Sequence, residues 1–280
     1  MRDFTVAKYG ELLDALKAAG YRFVTYEQYI RESNNNRAPR GLRTENREII
    51  VPDEGKEPKT VILRHDVDKR PENSLVTAEL EHGKGISASY YFRSVPVSFA
   101  PDIIHRIAAL GHEIGYHYED MSLCKGDKAR AKVHFKQKLA LLRTFYPVTT
   151  ICMHGAPTSR YDGRALWQEY DYRDYGIIGE PYFDTDFSRL LYLTDTGRCW
   201  DGFKVSVRDK IPEYQDEWSK RGWTYHTTDQ LIAAIRAGGL PSLMLTTHPQ
   251  RWTDNPRAWR KERVIQTMKN SVKRIIVKIS

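Results

Sequence analysis

Val61-Ile62-Leu63 runs straight into Arg64-His65-Asp66-Val67-Asp68. A short apolar run that ends in charge reads as a strand leaving a buried core. Side chains alternate along a strand, so Asp66 and Asp68 point to the same face. Two carboxylates side by side repel unless a proton or a cation lies between them. Pro71 follows at once, and then a helical pattern. The pair is therefore expected at the C-terminal end of a strand, the edge where α/β proteins place their active sites.

Two other segments repeat the arrangement. Gly111-His112-Glu113-Ile114-Gly115-Tyr116-His117 reads as a short strand ending in histidine, and Leu243-Met244-Leu245-Thr246-Thr247-His248-Pro249 as another. Carboxylates and imidazoles at strand ends suggest a divalent metal site with an open coordination position. By the same alternation His65 and His112 fall out of phase and are expected to be structural.

Between these segments strands and helices alternate. Strand 61–66 leads to a helix from Pro71 to about His82, and strand 88–92 to a helix from Pro101 to Leu110. Strand 112–117 leads to a helix from Asp127 to Phe145, then strand 149–153. Upstream, residues 9–19 carry a helical stripe ended by Gly20, followed by a strand at 21–25 and a short helix at 27–30. Residues 33–59 read as a polar loop or insertion, with a short strand at 49–51. From 154 to about Pro212 the sequence is irregular and rich in tyrosine, before a helix at 229–237 and the strand at 243–247. Alternation of this kind predicts a single α/β domain with a mostly parallel sheet.

Composition narrows the function classes. The chain has 280 residues, 40% of them hydrophobic, enough for a full core. No run of 18 apolar residues occurs, so no membrane span is expected. Residues 1–9 lack the apolar stretch of a signal peptide, which gives a cytoplasmic location as the expectation. The three cysteines, Cys124, Cys152 and Cys199, have no motif spacing and are expected as free thiols. The net charge of +8 is spread among 36 acidic residues, which disfavours nucleic acid as the partner and fits an anionic substrate.

The order and spacing of these motifs resemble the polysaccharide deacetylase (NodB-like) family, carbohydrate esterase family 4, in a divergent His-Asp-x-Asp branch. The resemblance runs from about Val61 to Trp252. It implies a distorted (β/α) barrel with about seven parallel strands, and a metal-dependent hydrolase that removes N-acetyl groups from amino sugars or glycan precursors. It implies Asp66 as general base, Asp68 and His117 as metal ligands, His248 as general acid, and Zn²⁺ as the ion, with Co²⁺, Ni²⁺ or Mn²⁺ as substitutes. The family pattern expects another histidine four residues after His117, and Met121 stands there. His154 or Glu119 is the candidate third ligand, and His154 could equally hydrogen-bond Asp66 as its support. Arg64, Tyr116, Tyr182, Arg198, Trp200 and Trp252 are the candidates for contact with a nucleotide- or lipid-linked sugar. A hydrolase of small cyclic amides and a non-catalytic glycan- or partner-binding descendant are the alternatives, the second suggested by Met121.

Overall fold

The computed structural model describes residues 2–35, 59–156, 159–206 and 208–279, with side chains as far as residue 271. Seven strands form one parallel sheet: β1 (Arg22–Val24), β2 (Thr60–Val67), β3 (Ser89–Phe92), β4 (Glu113–Tyr118), β5 (Ile151–Met153), β6 (Leu190–Thr194) and β7 (Ser242–Thr247). The order is β5-β4-β3-β2-β7-β6. β1 pairs with residues 60–62 of β2 and β3 with residues 64–67, so the two follow one another along the same edge. Every residue of β2 from Val61 to Val67 is buried, as a parallel strand covered on both faces requires.

The sheet is curled, and one contact measures how far. Three strand spacings separate β2 from β5, about 14 Å in a flat sheet. Yet Cys152 Sγ on β5 lies 4.0 Å from Asp66 Oδ1 on β2. From the other side, the ring of Tyr192 on β6 lies 5.6 Å from the Arg64 guanidinium. The strands thus form the distorted (β/α) barrel that the resemblance implies, open between β5 and β6.

The helices are α1 (Val6–Ala18), α2 (Tyr26–Asn35), α3 (Pro71–Gly83), α4 (Pro101–Ala109), α5 (Asp120–Leu123), α6 (Lys128–Arg143), α7 (Pro181–Asp184), α8 (Pro212–Lys220), α9 (Thr228–Ala237) and α10 (Pro256–Ile279). Local chemistry sets several of their starts. Proline opens α3, α4 and α8, where its missing N–H is no loss. Asp127 caps α6 by accepting from Arg130 N, and Thr227 with Gln230 forms a reciprocal capping box on α9.

The polar loop expected from residue 33 starts later, because α2 continues through Asn35. The rest of that segment to 58, with the strand expected at 49–51, lies outside the described residues. Within the stretch read as irregular, β6 and α7 form, and α8 and α10 were also not foreseen. Among the described residues no helix is long and apolar enough to cross a membrane, and all three cysteines are free and buried.

Candidate active site

Parallel strands bring their C-terminal ends to one edge. Register then decides which side chains meet. His65 on β2 is level with Thr247 on β7, which puts His248 one step past β7, beside Asp66. Tyr118 on β4 is level with Met153 on β5, and His154 N donates to Tyr118 O at 2.9 Å. Tyr91 on β3 faces Gly115 on β4, and a Cβ there would come within 2.3 Å of the tyrosine ring. The glycine lets the aromatic ring fill the sheet's interior and keeps β3 and β4 in register. Asp66, Asp68, His117, His154 and His248 all line one cavity of about 600 Å³ at this edge.

Asp68 is the hub. Its Oδ1 lies 3.6 Å from His117 Nε2 and 3.4 Å from His154 Nε2, and its Oδ2 lies 3.9 Å from His248 Nε2. Gln250 Nε2 donates to Oδ2 at 3.2 Å. Oδ1 is buried and has no hydrogen-bond partner, an unusual state for a carboxylate oxygen. Burial raises the Asp68 pKa, but the three imidazoles that face it, those of His117, His154 and His248, outweigh that effect. The carboxyl is held well below its usual range.

The two imidazoles are aimed by what lies behind them. His117 Nδ1 faces the Cys152 carbonyl at 2.9 Å. A carbonyl only accepts, so Nδ1 carries the proton and Nε2 points bare at Asp68. His154 Nδ1 faces Glu119 Oε2 at 3.0 Å, and Arg93 grips Glu119 with two bonds of 2.8 Å. Burial raises the Glu119 pKa, but His154 and Arg93 bring the net shift down. The ligand atoms of Asp68, His117 and His154 lie within 4.8 Å of one another. One carboxylate and two imidazoles, each imidazole backed by an acceptor, is the donor set of an open zinc site. The orphaned Oδ1 is what a cation at that point would satisfy, so the residues fit a divalent ion.

Asp66 has a different environment. Arg64 donates to both its oxygens, at 2.9 Å and 2.8 Å, and both side chains are buried. Burial opposes the guanidinium's charge, but Asp66 more than compensates and the Arg64 pKa is raised well above its usual value. The ring of Tyr182 covers the guanidinium at 5.4 Å, and Asp209 Oδ1 approaches at 3.8 Å. This fork fixes the plane of the Asp66 carboxylate. His117 Nε2 is 3.8 Å away from it, while the ion-pair and hydrogen-bond partners of His154 are Asp68 and Glu119.

His248 is held from the far side. Its Nδ1 donates to Asp195 Oδ1 at 2.6 Å, and its backbone N–H to Asp195 Oδ2 at 3.0 Å. Arg251 Nη1 donates to the same Oδ1, and Trp252 Nε1 to Oδ2 at 2.7 Å. Burial and Arg251 lower the His248 pKa, but Asp195 and Asp68 overcome them and the net shift is upward. Nε2, left free, faces the cavity.

The expected residues divide cleanly. Asp66, Asp68, His117, His154 and His248 come together, with Tyr182 beside them. Glu119 stands behind His154 instead of beside the open position. Met121 is buried in α5 and does not line the cavity. The remaining substrate-contact candidates need correction. Arg64 is buried behind Asp66 and does not line the cavity. Tyr116 points to the opposite side of β4, donates to Asp120 and packs on Phe135. Trp200 bonds Thr228 Oγ1 at 3.0 Å within the core. Trp252 is buried against Phe4 and Tyr9, with its N–H on Asp195. Arg198 lies over Phe4 and Trp259 and donates to the Arg251 carbonyl. Large aromatic side chains of this kind serve packing more often than ligands. His65 and His112 are buried behind the sheet. His65 lies between Thr247 Oγ1 and Glu81 Oε1, and His112 accepts Ala88 N–H.

Asp209, Gln250 and Arg93 carry no mark in the sequence, and Asp195 stands out there as the start of the polar turn Asp195–Trp200, which loosely resembles a family motif with an Asp and a Trp. Asp209 accepts hydroxyls from Tyr182, Tyr192, Thr194 and Thr196. Nothing in its surroundings, Val207-Arg208-Asp209-Lys210, marks it in the sequence. Asp195 also ends an apolar run, Leu190–Thr194, in the same way that Asp66 and His248 end theirs.

No protein-family model matches the chain, and no curated protein matches it. Among solved structures the chain is similar to a family 4 carbohydrate esterase from Streptomyces lividans in complex with acetate. Identity is 13%, the likeness covers 77% of this chain and 90% of that one, and the TM-score is 0.41.

Proposed function

We propose that the protein is a metal-dependent hydrolase that removes an N-acyl group, acetyl foremost, from an amino sugar carried on a nucleotide or lipid precursor of a surface polysaccharide. The observation that carries this reading is the division of labour around Asp68. The aspartate and two aimed imidazoles form a ligand set, a second aspartate is clamped outside it, and a third histidine faces it from the other side. Asp68, His117 and His154 would hold the ion. A bound Zn²⁺, Co²⁺, Ni²⁺ or Mn²⁺ makes water more acidic and polarises an acyl carbonyl.

The chain's own groups handle the protons. Asp66, fixed by Arg64, takes one from the attacking water. His248 gives its Nε2 proton to the leaving nitrogen as the C–N bond breaks, and Asp195 stabilises the imidazolium beforehand. A base and an acid that both reach the cavity beside the ligand set suit amide hydrolysis, because the amine must be protonated to leave. Lys69, Arg208 and Lys269 also line the cavity, and their charge suits the phosphates of a nucleotide or lipid carrier.

Specific observations weaken the other readings. A narrow pocket would favour a small cyclic amide, and a cavity of about 600 Å³ takes a hexosamine with part of its carrier. The non-catalytic reading rests on Met121, which does not line the cavity, while His154 stands beside His117.

The test is acetate release from a panel of N-acetylated amino sugars, free and carrier-linked, by metal-loaded protein. Asp66→Asn keeps its metal and loses roughly 10² to 10⁴ in turnover. Asp68→Asn loses metal and activity together, and excess metal partly restores it. Equal metal loss in both variants, or no release from any panel member, defeats the proposal.

A further inference from the structure

On the other side of Gln266 from the cavity lies a second hollow of about 560 Å³. Cys199, Asp201 and His226 meet in its wall, their ligand atoms all within 4.8 Å of one another. None of the three belongs to the site described above. Cys199 and Asp201 come from the loop after β6, two residues apart. His226 comes from the turn before α9.

The backbone under these three side chains is fixed from both directions. Asp201 bridges Thr194 in parallel fashion, and Trp200 N donates to His226 O at 3.3 Å. His226 N donates to Gln230 Oε1 at 2.8 Å, an extension of the capping box on α9. Gly202 packs so tightly that a Cβ would fall 2.3 Å from the Thr196 carbonyl oxygen. The loop can pass there only as glycine, which holds Cys199 and Asp201 in place.

Charge and geometry both suit a cation. His226 Nδ1 is 2.9 Å from Asp201 Oδ1, while Lys204 Nζ takes the other oxygen at 2.9 Å. Lys204 therefore orients the carboxylate without occupying the oxygen that faces His226. Ligand atoms around tetrahedral zinc lie roughly 3.3 to 3.8 Å apart, given bonds of about 2.0 to 2.3 Å. The three ligand atoms lie within 4.8 Å of one another, and the His226 Nδ1 to Asp201 Oδ1 separation of 2.9 Å must open slightly for an ion to enter between them. The His226 side chain is 67% exposed, so its ring has room to turn.

We propose that Cys199, Asp201 and His226 form a second divalent metal site, selective for zinc-like ions, with solvent in the fourth position. The cysteine sulfur makes the metal bond and its proton leaves to solvent. Thiolate and carboxylate then carry two negative charges against the ion's two positive ones. A thiolate ligand favours Zn²⁺, Co²⁺ and Cd²⁺ over Mg²⁺ and Mn²⁺. Bound there, the ion ties the loop that starts at Asp195 to the start of α9. The inference does not depend on the proposed reaction.

Cobalt titration of the full chain tests it. The expected result is two Co²⁺ per chain and a thiolate-to-cobalt charge-transfer band in the near ultraviolet, displaced by Zn²⁺. Cys199→Ser removes the band and binds one ion. His226→Ala, a substitution at an exposed position that leaves the fold intact by circular dichroism, weakens the band-forming site by at least about 10-fold. Cys152→Ser keeps the band, which separates this site from the buried thiol beside Asp66. Asp68→Asn also keeps it, so failure of the first site and of this one are distinguishable. Absence of the band in the folded wild-type protein, its survival in Cys199→Ser or His226→Ala, or its loss in Cys152→Ser overturns the proposal.

Discussion

Replacing His154 with alanine removes the imidazole whose Nε2 lies 3.4 Å from Asp68 Oδ1. It also leaves Glu119 with Arg93 as its remaining side-chain partner. The magnitude follows from the order of contacts. Losing a group that only orients a metal ligand costs about 10- to 100-fold in affinity. Losing the ligand itself must cost more, so His154→Ala is expected to weaken binding at least about 100-fold, or about 2.8 kcal/mol. Glu119→Gln keeps an acceptor for His154 Nδ1–H but loses its charge, and is expected near the lower end, about 10-fold. Met121→Leu changes a buried side chain in α5 and should leave affinity unaltered. The two effects should also be coupled. Once His154 is gone, Glu119→Gln has nothing to act through and should add less than about 0.5 kcal/mol. Calorimetry with Zn²⁺, or competition against a chelator, reads all four variants, with circular dichroism to check folding. The reasoning fails if Glu119→Gln costs as much as His154→Ala, if the double variant is additive, or if Met121→Leu loses tenfold.

Two further expectations concern the groups on either side of the ligand set. Arg64→Met strands the buried Asp66 carboxylate and should destabilise the fold by about 3 to 5 kcal/mol, and adding Asp66→Asn should recover part of that; urea midpoints that are unchanged in the single variant would contradict the pairing. Asp195 is the strongest influence raising the His248 pKa, so Asp195→Asn should move the alkaline limb of the pH–rate profile to lower pH, because a general acid acts only while protonated. The sign for stability is the same: a raised folded-state pKa contributes fully below the unfolded value of about 6.5 and is lost as pH rises through the folded one. A limb that stays put or moves upward would rule out this role for Asp195.

Strand-end chemistry was legible in the sequence because each of its residues ends an apolar run. Asp66, Asp68, His117, His154 and His248 are all of this type, and parallel pairing carries them to one edge without further information. Side-chain phase along a strand also separates His65 and His112 from the residues that line the cavity, and the structure places both behind the sheet. What could not be read was the contribution of segments far apart in sequence. The grip of Asp195 on His248 spans 53 residues, and that of Arg93 on Glu119 spans 26. The aromatic candidates were misplaced for a related reason. Tyr116, Trp200 and Trp252 each have a polar tip that suits a sugar equally well, but that tip is taken by Asp120, Thr228 and Asp195 in the interior. Elements were missed where the apolar signal was short or diluted. β6 is five residues long, and α10 is strongly basic.

The proposed shift of the third ligand from position 121 to His154 has a simple origin in the backbone. A histidine four residues after His117 can reach the site only if the chain stays at the cavity edge after β4. Here β4 ends at Tyr118, and Glu119 precedes the short helix α5, whose backbone bonds run from 122 and 123 back to Glu119. That turn sends residue 121 into the core, where methionine's apolar, flexible side chain suits the packing. The neighbouring position at the edge is then open to the next strand. Met153 pairs with Tyr118, and the bond from His154 N to the Tyr118 carbonyl holds β5 one residue further along. His154 thereby reaches Asp68 from the adjacent strand, with its ring 5.2 Å from that of His117. Glu119, which a linear reading offers as a rival ligand, is drawn back by Arg93 and becomes the support of the histidine. A gap in a sequence motif is therefore a weak reason to deny a site its metal, because parallel strands offer the same corner of space from two places in the chain.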